Sequence, residues 1–360
     1  MNSFQCDVFV QGDHGIHTYR IPSLITTHQG TLLAFAEART SRADVSGNEI
    51  AMRRSVDGGQ TWDSVQIILS HKPDSYNNPC AVVLNTSNRI LLFIQRYPYP
   101  TKERTVKPGL DGPEVVKNVY VYSDDDGLTW SDPIDITAQT KRPTRATSNA
   151  FGPGIGVQLT RGPHKGRIIV PMNQGPMGFW DVYMGYSDDN GHTWHMGETA
   201  PGSKATRGNE VQVVERADGS VLLNCRSFGW TGWFRKRCRL QAESTDGGQT
   251  WSPLRYHRTL VESSCMGSIL RYSFPENGQE NWILFSNPAS AIRRMNGTLR
   301  LSFDEGKTWP RAHVIESGLF AYSCLAKLPS GEIACLYETG EKDGYERIRF
   351  LRVSPRIFFS

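Results

Sequence analysis

The chain has 360 residues, of which 38% are hydrophobic, and it contains 34 glycines, 20 prolines and a formal net charge of +4. This charge is too small to indicate a nucleic-acid partner, although it would not hinder an anionic substrate. No apolar run approaches the ~20 residues that a membrane-spanning helix needs, so the sequence predicts no membrane span.

The N-terminus and the cysteines both bear on location. The first seven residues, Met-Asn-Ser-Phe-Gln-Cys-Asp, lack the basic stretch and following apolar stretch of a secretory leader. The seven cysteines are odd in number and irregularly spaced, which is typical of reduced thiols. No cysteine pair has zinc spacing. We therefore predict a cytoplasmic protein with no metal and no cofactor, and the sequence leaves its oligomeric state open.

The first predicted element is a buried strand that starts with Tyr19-Arg20-Ile21-Pro22 and pairs with the apolar run 32–36. An arginine at the end of a buried strand needs an anionic partner, which can be a protein carboxylate or a ligand. Both alternatives stay open at this point. Glu37, Arg39 and Asp44 follow in what we interpret as a polar loop.

The pattern Ser-x-Asp-x-Gly-x-Thr-Trp comes next and occurs five times, at 55–62, 123–130, 187–194, 244–251 and 302–309. Successive copies start 57 to 68 residues apart, which indicates a repeat architecture. Asp followed two residues later by Gly is hairpin-turn chemistry, because the carboxylate binds nearby N–H groups and glycine accepts a positive φ. We predict that each copy is a turn between two outer strands. Its tryptophan should pack against the repeat's own sheet, and the turn should not contact substrate.

The repeat length predicts the fold. About 60 residues hold four short strands with their turns, which is one blade of a β-propeller. The last copy starts at Ser302 and leaves room for one more set of strands. We therefore predict an all-β, six-bladed β-propeller that forms a single domain over residues 1–360, with four antiparallel strands per blade. Pairing of an N-terminal strand with C-terminal strands should close the ring and leave few unprotected strand edges.

Two irregular segments interrupt the strands. The loop 97–113 is rich in Pro, Tyr and Lys, and a loop of this length in a compact ring is either functional or mobile. The glycine-rich turn 151–156 lacks the lysine of a phosphate-binding loop and follows no strand–helix pattern. We interpret it as a site of backbone packing.

Charged residues then appear on predicted inner strands. Glu210 starts one strand and Arg226 follows the apolar run of the next. An unpaired glutamate on an inner strand would be costly, whereas a glutamate and an arginine on adjacent strands can face the same axis. The stretch 228–237 either stacks on sugar rings at the rim or forms a hydrophobic hairpin against a neighbouring loop. Its aromatic residues are Phe228, Trp230, Trp233 and Phe234.

The chain resembles the exo-α-sialidases of the six-bladed propeller superfamily over essentially its whole length. Besides the five repeated turns, the residues that support the resemblance are Tyr19-Arg20-Ile21-Pro22, Asn209-Glu210, Asn224-Cys225-Arg226, Arg294-Met295-Asn296, Tyr322 and Glu338. The turns alone also occur in unrelated propellers. Together with the Arg-Ile-Pro segment and the ordered acids, bases and tyrosine, they are highly specific.

The resemblance implies roles for eight residues. Arg20, Arg226 and Arg294 would bind the sialic acid carboxylate, because a guanidinium is planar, permanently charged and able to bond both oxygens. Arg293 is also available for the third position, but Arg-x-Asn suits the family segment better. The remaining roles are Tyr322 as nucleophile, Glu210 as its base, Asp44 as acid/base on the leaving oxygen, Glu338 as the residue that holds Arg20, and Arg39 as a further substrate contact.

The implied activity is hydrolysis of terminal α-linked sialic acid from glycoconjugates, with retention through a tyrosine-linked intermediate. A sialylated glycan is then the expected partner. Alternatives are a trans-sialidase, a hydrolase of deaminated sialic acid, and a non-catalytic sugar-binding propeller. The pocket for the C5 substituent and glycerol tail should be formed by 77–80, 179–181 and the neighbours of Asp44.

Overall fold

The computed structural model describes residues 3–229 and 237–359, and within these residues 26 β-strands form six sheets. The strands, numbered in chain order, are β1 (Phe4–Val10), β2 (Thr18–Thr26), β3 (Leu32–Arg39), β4 (Glu49–Ser55), β5 (Gln66–Leu69), β6 (Ser75–Val83), β7 (Ile90–Tyr97), β8 (Lys117–Ser123), β9 (Ile134–Asp135), β10 (Asn149–Phe151), β11 (Gly154–Ile155), β12 (Val157–Gln158) and β13 (Ile168–Gln174). The second half comprises β14 (Asp181–Ser187), β15 (His195–Met196), β16 (Gly208–Glu215), β17 (Val221–Ser227), β18 (Cys238–Ser244), β19 (Arg255–Val261), β20 (Ser268–Ser273), β21 (Trp282–Pro288), β22 (Met295–Ser302), β23 (Arg311–Leu319), β24 (Ser323–Lys327), β25 (Ile333–Thr339) and β26 (Arg347–Val353).

Each sheet is one blade of a propeller, which confirms the predicted all-β, six-bladed fold within the described residues. Blade 1 contains β2–β5, blade 2 β6–β9, blade 3 β10 and β12–β15, blade 4 β16–β19, blade 5 β20–β23, and blade 6 β24–β26 with β1. The first strands of neighbouring blades contact one another and surround the axis. The described helical segments are short: α1 (Thr137–Thr140) and the 3₁₀ turns Asp13–Gly15 and Pro355–Phe358. Within residues 3–229 and 237–359, no helix has the length and apolar character needed to cross a bilayer.

The ring is closed as predicted, by pairing the two ends of the described chain. β1 runs antiparallel to β26, with Phe4 opposite Arg352 and Val10 opposite Arg347. The Nε atom of Arg349 donates to Asp7 Oδ1 at 2.7 Å across this junction. The pairing satisfies the backbone groups of β26, which would otherwise form an open sheet edge.

The inner strand of blade 3 is divided by the glycine-rich turn. β10 and β12 both pair with β13, whereas β11 between them pairs in parallel with β6 of blade 2. The oxygen of Gly154 accepts a 2.7 Å hydrogen bond from Ser23 of blade 1, and Gln212 of blade 4 donates to the oxygen of Pro153 at 2.7 Å. The turn therefore packs its backbone among several blades.

Each repeated turn connects the third and fourth strands of a blade, as predicted. In the second copy, Ser123 Oγ donates to Asp125 Oδ1 at 2.8 Å and accepts from the Gly127 N–H at 2.9 Å. Hydrogen bonds from the hydroxyl and N–H of Thr129 lower the pKa of Asp125 to about 2. The carboxylate thus replaces backbone hydrogen bonds that the tight turn cannot form.

The prediction for the tryptophans was incomplete, because in three of the five turns they pack on the preceding blade as well as on a cluster that includes their own sheet. Their rings pack on phenylalanines of the preceding blade, with centroid distances of 5.4 Å for Trp62–Phe350, 5.7 Å for Trp130–Phe35 and 4.9 Å for Trp194–Phe93. Trp309 does contact Phe285 of its own blade, at 5.7 Å. The reason is that adjacent blades pack face to face, so a large apolar side chain buries most area between two sheets.

Strand direction divides the propeller into two faces. Because successive strands of a blade are antiparallel, the start of the first strand, the end of the second and the connection from second to third share one face. The third-to-fourth turns lie on the opposite face. The eight predicted site residues all map to the first face: Arg20, Glu210 and Tyr322 near the starts of first strands, Arg39, Arg226 and Glu338 near the ends of second strands, and Asp44 and Arg294 in second-to-third connections.

Candidate active site

A cavity of about 430 Å³ opens on this face, around the propeller axis. Seven of the eight predicted residues line it: Arg20, Arg39, Asp44, Glu210, Arg226, Arg294 and Tyr322. The eighth, Glu338, is fully buried and binds Arg20 from behind. The structure therefore brings all eight together, although they come from positions throughout the chain.

Tyr322, Glu210 and Arg226 form a hydrogen-bonded cluster at the base of the cavity. The Tyr322 hydroxyl donates to Glu210 Oε1, and Arg226 Nη1 donates to Glu210 Oε2 at 2.7 Å and to the phenolic oxygen at 3.2 Å. Burial, and then the negative charge of Glu210, raise the pKa of Tyr322 well above its usual range. The phenol is consequently neutral at rest, and a carboxylate lies in place to take its proton.

Glu338 fixes the position of two cavity residues at once. Its Oε1 accepts from Arg20 Nε at 2.7 Å and from the Ile21 N–H at 2.8 Å, and its Oε2 accepts from the Tyr322 N–H at 3.1 Å. The sequence left open whether the anionic partner of Arg20 is a protein carboxylate or a ligand. Arg20 is paired with Glu338 and also lines the cavity, so it can have both partners. One buried carboxylate sets the spacing between this guanidinium and the phenol.

Prolines in the inner strands produce bulges at the cavity. The β2–β3 register shifts between Arg20 and Ser23, and the β6–β7 register shifts between Asn77 and Cys80. Pro22 and Pro79 lie within these two intervals and have no N–H to give to a ladder.

The residue before each proline is left-handed, with φ of 61° at Ile21 and 55° at Asn78. This conformation costs roughly 1–2 kcal/mol for a non-glycine residue. In both cases the strained N–H donates to a buried carboxylate, Ile21 to Glu338 at 2.8 Å and Asn78 to Glu37 at 2.7 Å. The bulges direct neighbouring side chains into the cavity.

Arg294, rather than Arg293, lies in the cavity. Arg293 is exposed, whereas Arg294 Nη1 donates to the Tyr345 hydroxyl at 2.9 Å and Nη2 donates to the Ser264 oxygen at 3.2 Å. Within residues 3–229 and 237–359, no carboxylate forms an ion pair with Arg294. In the same part of the chain, the buried Arg226 Nε has no acceptor. An anionic ligand group would satisfy both guanidinium groups.

Tyr345 is a cavity residue that sequence reasoning missed. Its hydroxyl holds Arg294, and its ring lies 3.8 Å from the Arg20 guanidinium carbon. A cation over an aromatic face at this distance is stabilised by the ring quadrupole. Nothing in its position in a polar loop after Glu338 distinguishes it from an ordinary loop tyrosine.

Arg39 is paired with two carboxylates of opposite exposure. It contacts the fully buried Glu37 at 2.6 Å and Asp44 at 2.9 Å, whose side chain is 87% exposed. The interpretation of Glu37 and Arg39 as loop residues is wrong, because both belong to β3. Their spacing of two residues places them on the same face of a strand, and this signal could have revealed the pair.

Asp44 itself lies in a loop at the mouth of the cavity. Its backbone oxygen accepts from the side-chain amides of Asn48 at 2.7 Å and Asn77 at 2.6 Å. These bonds hold the loop while the carboxylate stays accessible. The side chain can therefore exchange a proton with a group that enters the cavity.

The opposite wall comes from blades 2 and 3. Of the expected C5 and glycerol-tail segments, Asn77, Asn78 and Trp180 line the cavity. Glu103, from the long loop 97–113, also lines it and accepts from Trp180 Nε1 at 3.0 Å. Burial raises the pKa of Glu103. This loop is therefore part of the candidate site.

The aromatic stretch is only partly described. Phe228 lines the cavity, with its ring centroid 4.7 Å from that of Trp180. Trp230, Trp233 and Phe234 lie outside the described residues. In the described part of the chain, no group of three or more His, Cys, Asp or Glu side chains could hold a metal ion, and the absence of a cofactor stays a prediction.

The chain is similar to a known domain family and to two bacterial proteins. Residues 30–335 match the family model of the BNR repeat-like domain. A sialidase of Micromonospora viridifaciens is 35% identical over 348 residues, which cover 93% of this chain and 52% of that protein. A sialidase of Bacteroides fragilis (strain YCH46) is 31% identical over 355 residues, which cover 91% of this chain and 61% of that protein.

A solved structure extends the comparison to the fold. The Hadza microbial sialidase Hz136 superposes with a TM-score of 0.86 at 28% identity, covering 99% of this chain and 69% of that chain. The chain spans about half to three fifths of the length of the two bacterial relatives above.

Proposed function

The chain belongs to the sialidase family, and from this membership we propose that it is an exo-α-sialidase, a retaining glycoside hydrolase that releases terminal α-linked sialic acid from glycoconjugates. The observation that supports this most strongly is the hydrogen bond from the Tyr322 hydroxyl to Glu210, next to Arg226. A sugar-binding propeller would not need a buried phenol paired with a base.

Substrate binding follows from the guanidinium groups. The sialic acid carboxylate would bind Arg20, Arg226 and Arg294, and the anomeric carbon C2 would then lie above Tyr322. In a ring of blades, blades 2 and 3 lie across the axis from blades 5 and 6. The C5 substituent and glycerol tail would therefore extend toward the wall that contains Trp180 and Glu103.

The first chemical step forms a covalent bond between Tyr322 Oη and C2. The phenolic proton passes to Glu210, the C2–O glycosidic bond breaks, and the leaving oxygen takes a proton from Asp44. A phenol suits this substrate, because a charged carboxylate nucleophile would be repelled by the substrate's own carboxylate on C2. The arginines hold that carboxylate while charge develops at the reacting centre.

The second step releases the sugar. Water gives a proton to the Asp44 carboxylate and attacks C2, the bond from C2 to Tyr322 Oη breaks, and Glu210 returns its proton to the phenolate. Two displacements at C2 give net retention. The exposed position of Asp44 at the cavity mouth supports this role, because both the leaving group and the water must reach it.

We also propose a reducing location, the cytosol. Within the described residues, six cysteines form no disulfide, and five of these six are buried: Cys6 is half-buried, whereas Cys80, Cys225, Cys265, Cys324 and Cys335 are buried. Disulfide bonds form and persist in oxidising compartments, whereas reduced thiols persist where the surroundings are reducing.

The test is turnover of 4-methylumbelliferyl α-N-acetylneuraminide by the wild type and by Tyr322→Phe. We expect turnover by the wild type and a loss on the order of 10³-fold or more in the variant, which lacks the nucleophile. Tyr120→Phe is the control, because Tyr120 is a buried tyrosine whose hydroxyl donates to Gly191 O at 3.2 Å, away from the cavity.

Parallel assays separate the alternatives. If the enzyme turns over only the deaminated analogue, its substrate is deaminated sialic acid, and the proposed mechanism is unchanged. Transfer of sialic acid to added lactose, detected by product NMR, would identify a trans-sialidase. A folded wild type that turns over neither substrate would contradict the enzyme and favour the binding propeller.

A further inference from the structure

A further arginine–glutamate pair, Arg239 and Glu262, lies beneath the cavity without lining it. Arg239 and Glu262 have side chains that are 0% and 1% exposed, and Arg239 Nη1 contacts Glu262 Oε2 at 2.9 Å. We propose that this pair positions Arg226 and Arg294, so that both guanidinium groups can bind one substrate carboxylate. The inference rests on the proposed function, because it concerns the same carboxylate site.

The pair holds the strand that contains Arg226 on both sides of that residue. Glu262 Oε1 accepts from the N–H of Ser227, the next residue, at 2.7 Å. Arg239 Nε donates at 2.7 Å to Oδ1 of Asn224, two residues before Arg226. Because the β17–β18 pairing ends at Cys225, Glu262 accepts the Ser227 N–H that a longer ladder would satisfy.

The same pair reaches Arg294 through the connection between blades 4 and 5. Arg239 Nη1 donates to the Cys265 oxygen at 2.7 Å. The preceding residue, Ser264, gives its backbone oxygen to Arg294 Nη2 at 3.2 Å. Ser264 has a φ of 56°, which a non-glycine residue keeps only when its surroundings hold it. Its hydroxyl also donates to the Ser227 oxygen at 3.5 Å.

Stability alone does not explain a charged pair at this depth. A buried ion pair is often no more stable than apolar side chains of similar volume, because both charges lose their hydration. The pair instead fixes relative positions, because the rigid Arg239 guanidinium bonds Asn224, Glu262 and Cys265 O at fixed angles. Burial raises the pKa of the Glu262 carboxyl, and the positive charges of Arg239 and Arg226 oppose this rise.

The test is Arg239→Lys, which keeps the charge and loses the fork. A single ammonium cannot reach all three partners, so Arg226 and Arg294 should shift relative to each other. We expect KM for 4-methylumbelliferyl α-N-acetylneuraminide to rise about tenfold, with a smaller change in kcat. Calorimetry should show a parallel loss of about tenfold in affinity for 2-deoxy-2,3-dehydro-N-acetylneuraminic acid, which carries the same carboxylate.

The matched control is Arg54→Lys. Arg54 forms a comparable buried pair with Asp126 at 3.1 Å, and Asp126 belongs to a repeated turn on the opposite face. A merely structural role for Arg239 would make both variants lose stability and leave KM and analogue affinity unchanged, and this result would overturn the proposal. If Arg239→Lys does not fold, Glu262→Gln is judged by the same two readouts. A wild type that neither turns over substrate nor binds the analogue would instead reject the proposed function and this inference with it.

Discussion

Neighbouring residues of the same type have different surroundings at the cavity. Arg293 and Arg294 are adjacent in the sequence, but Arg293 is exposed and Arg294 is held by Tyr345 and Ser264. A guanidinium that is held by two partners loses less entropy when it binds an anion. At this scale, the fixed geometry distinguishes a site residue from a surface residue.

This difference predicts the outcome of two matched substitutions. Arg294→Lys should raise KM for the fluorogenic sialoside at least about tenfold, because an ammonium cannot bond both carboxylate oxygens in a fork. Arg293→Lys should leave KM within about twofold, as expected of an exposed side chain. Equal effects of the two substitutions on KM would show that the third arginine has been misassigned.

At the scale of single elements, the repeated turns need two successive left-handed residues. In the first copy these are Gly58 and Gly59, with φ of 70° and 86°. Glu305 occupies the first of these positions in the fifth copy, with φ of 66°, and its backbone oxygen accepts from Arg216 at 3.0 Å. The second position is glycine in every copy of the pattern. This position also faces the preceding blade.

Gly59→Ala tests both demands on this position. A Cβ at Gly59 would lie 2.1 Å from Phe350 Cε1, whereas at Gly12, with φ of 88°, it would meet no described atom within 4 Å. Gly12→Ala should therefore lower the free energy of unfolding by only roughly 1 kcal/mol, the cost of a left-handed conformation for alanine. Gly59→Ala should lower the free energy of unfolding by about 2 kcal/mol more, because overpacking against Phe350 adds to the conformational cost. Urea unfolding measures both, and equal losses would show that the blade contact is not tight.

At the scale of the whole molecule, the ring depends on the junction of its ends. β1 covers the edge of β26, buries Phe9 and brings Asp7 to Arg349. This junction also affects the site, because Glu338 lies on β25, the neighbour of β26. Ring closure therefore contributes to the position of Arg20 as well as to stability.

Removal of residues 1–10 should open the ring. The exposed edge of β26 would favour edge-to-edge association, so we expect a melting temperature lower by about 10 °C and formation of oligomers on size-exclusion chromatography. A synthetic peptide of residues 3–11 should partly restore both properties. A truncated protein with unchanged melting temperature and elution would show that the other blades hold the ring closed.

The sequence by itself determined the features that depend on local chemistry, namely the turns, the strands and the repeat. The Asp-x-Gly turns, their period and the strand patterns between them predicted the propeller, because turn geometry depends on residues within a few positions of each other. The candidate residues came from a family resemblance, and the structure places them around one cavity.

Only the tertiary structure decided which side chains meet. Arg20 and Glu338 are 318 positions apart, so no local pattern places them together: the family resemblance implied the pair, and ring closure brings the two side chains into contact. No local pattern predicts Tyr345 beside Arg294, the Arg239–Glu262 pair, or the tryptophans that pack on the preceding blade. Such contacts depend on side-chain direction at bulges and on how twisted sheets face each other. Neither property can be predicted from the local patterns of one sequence.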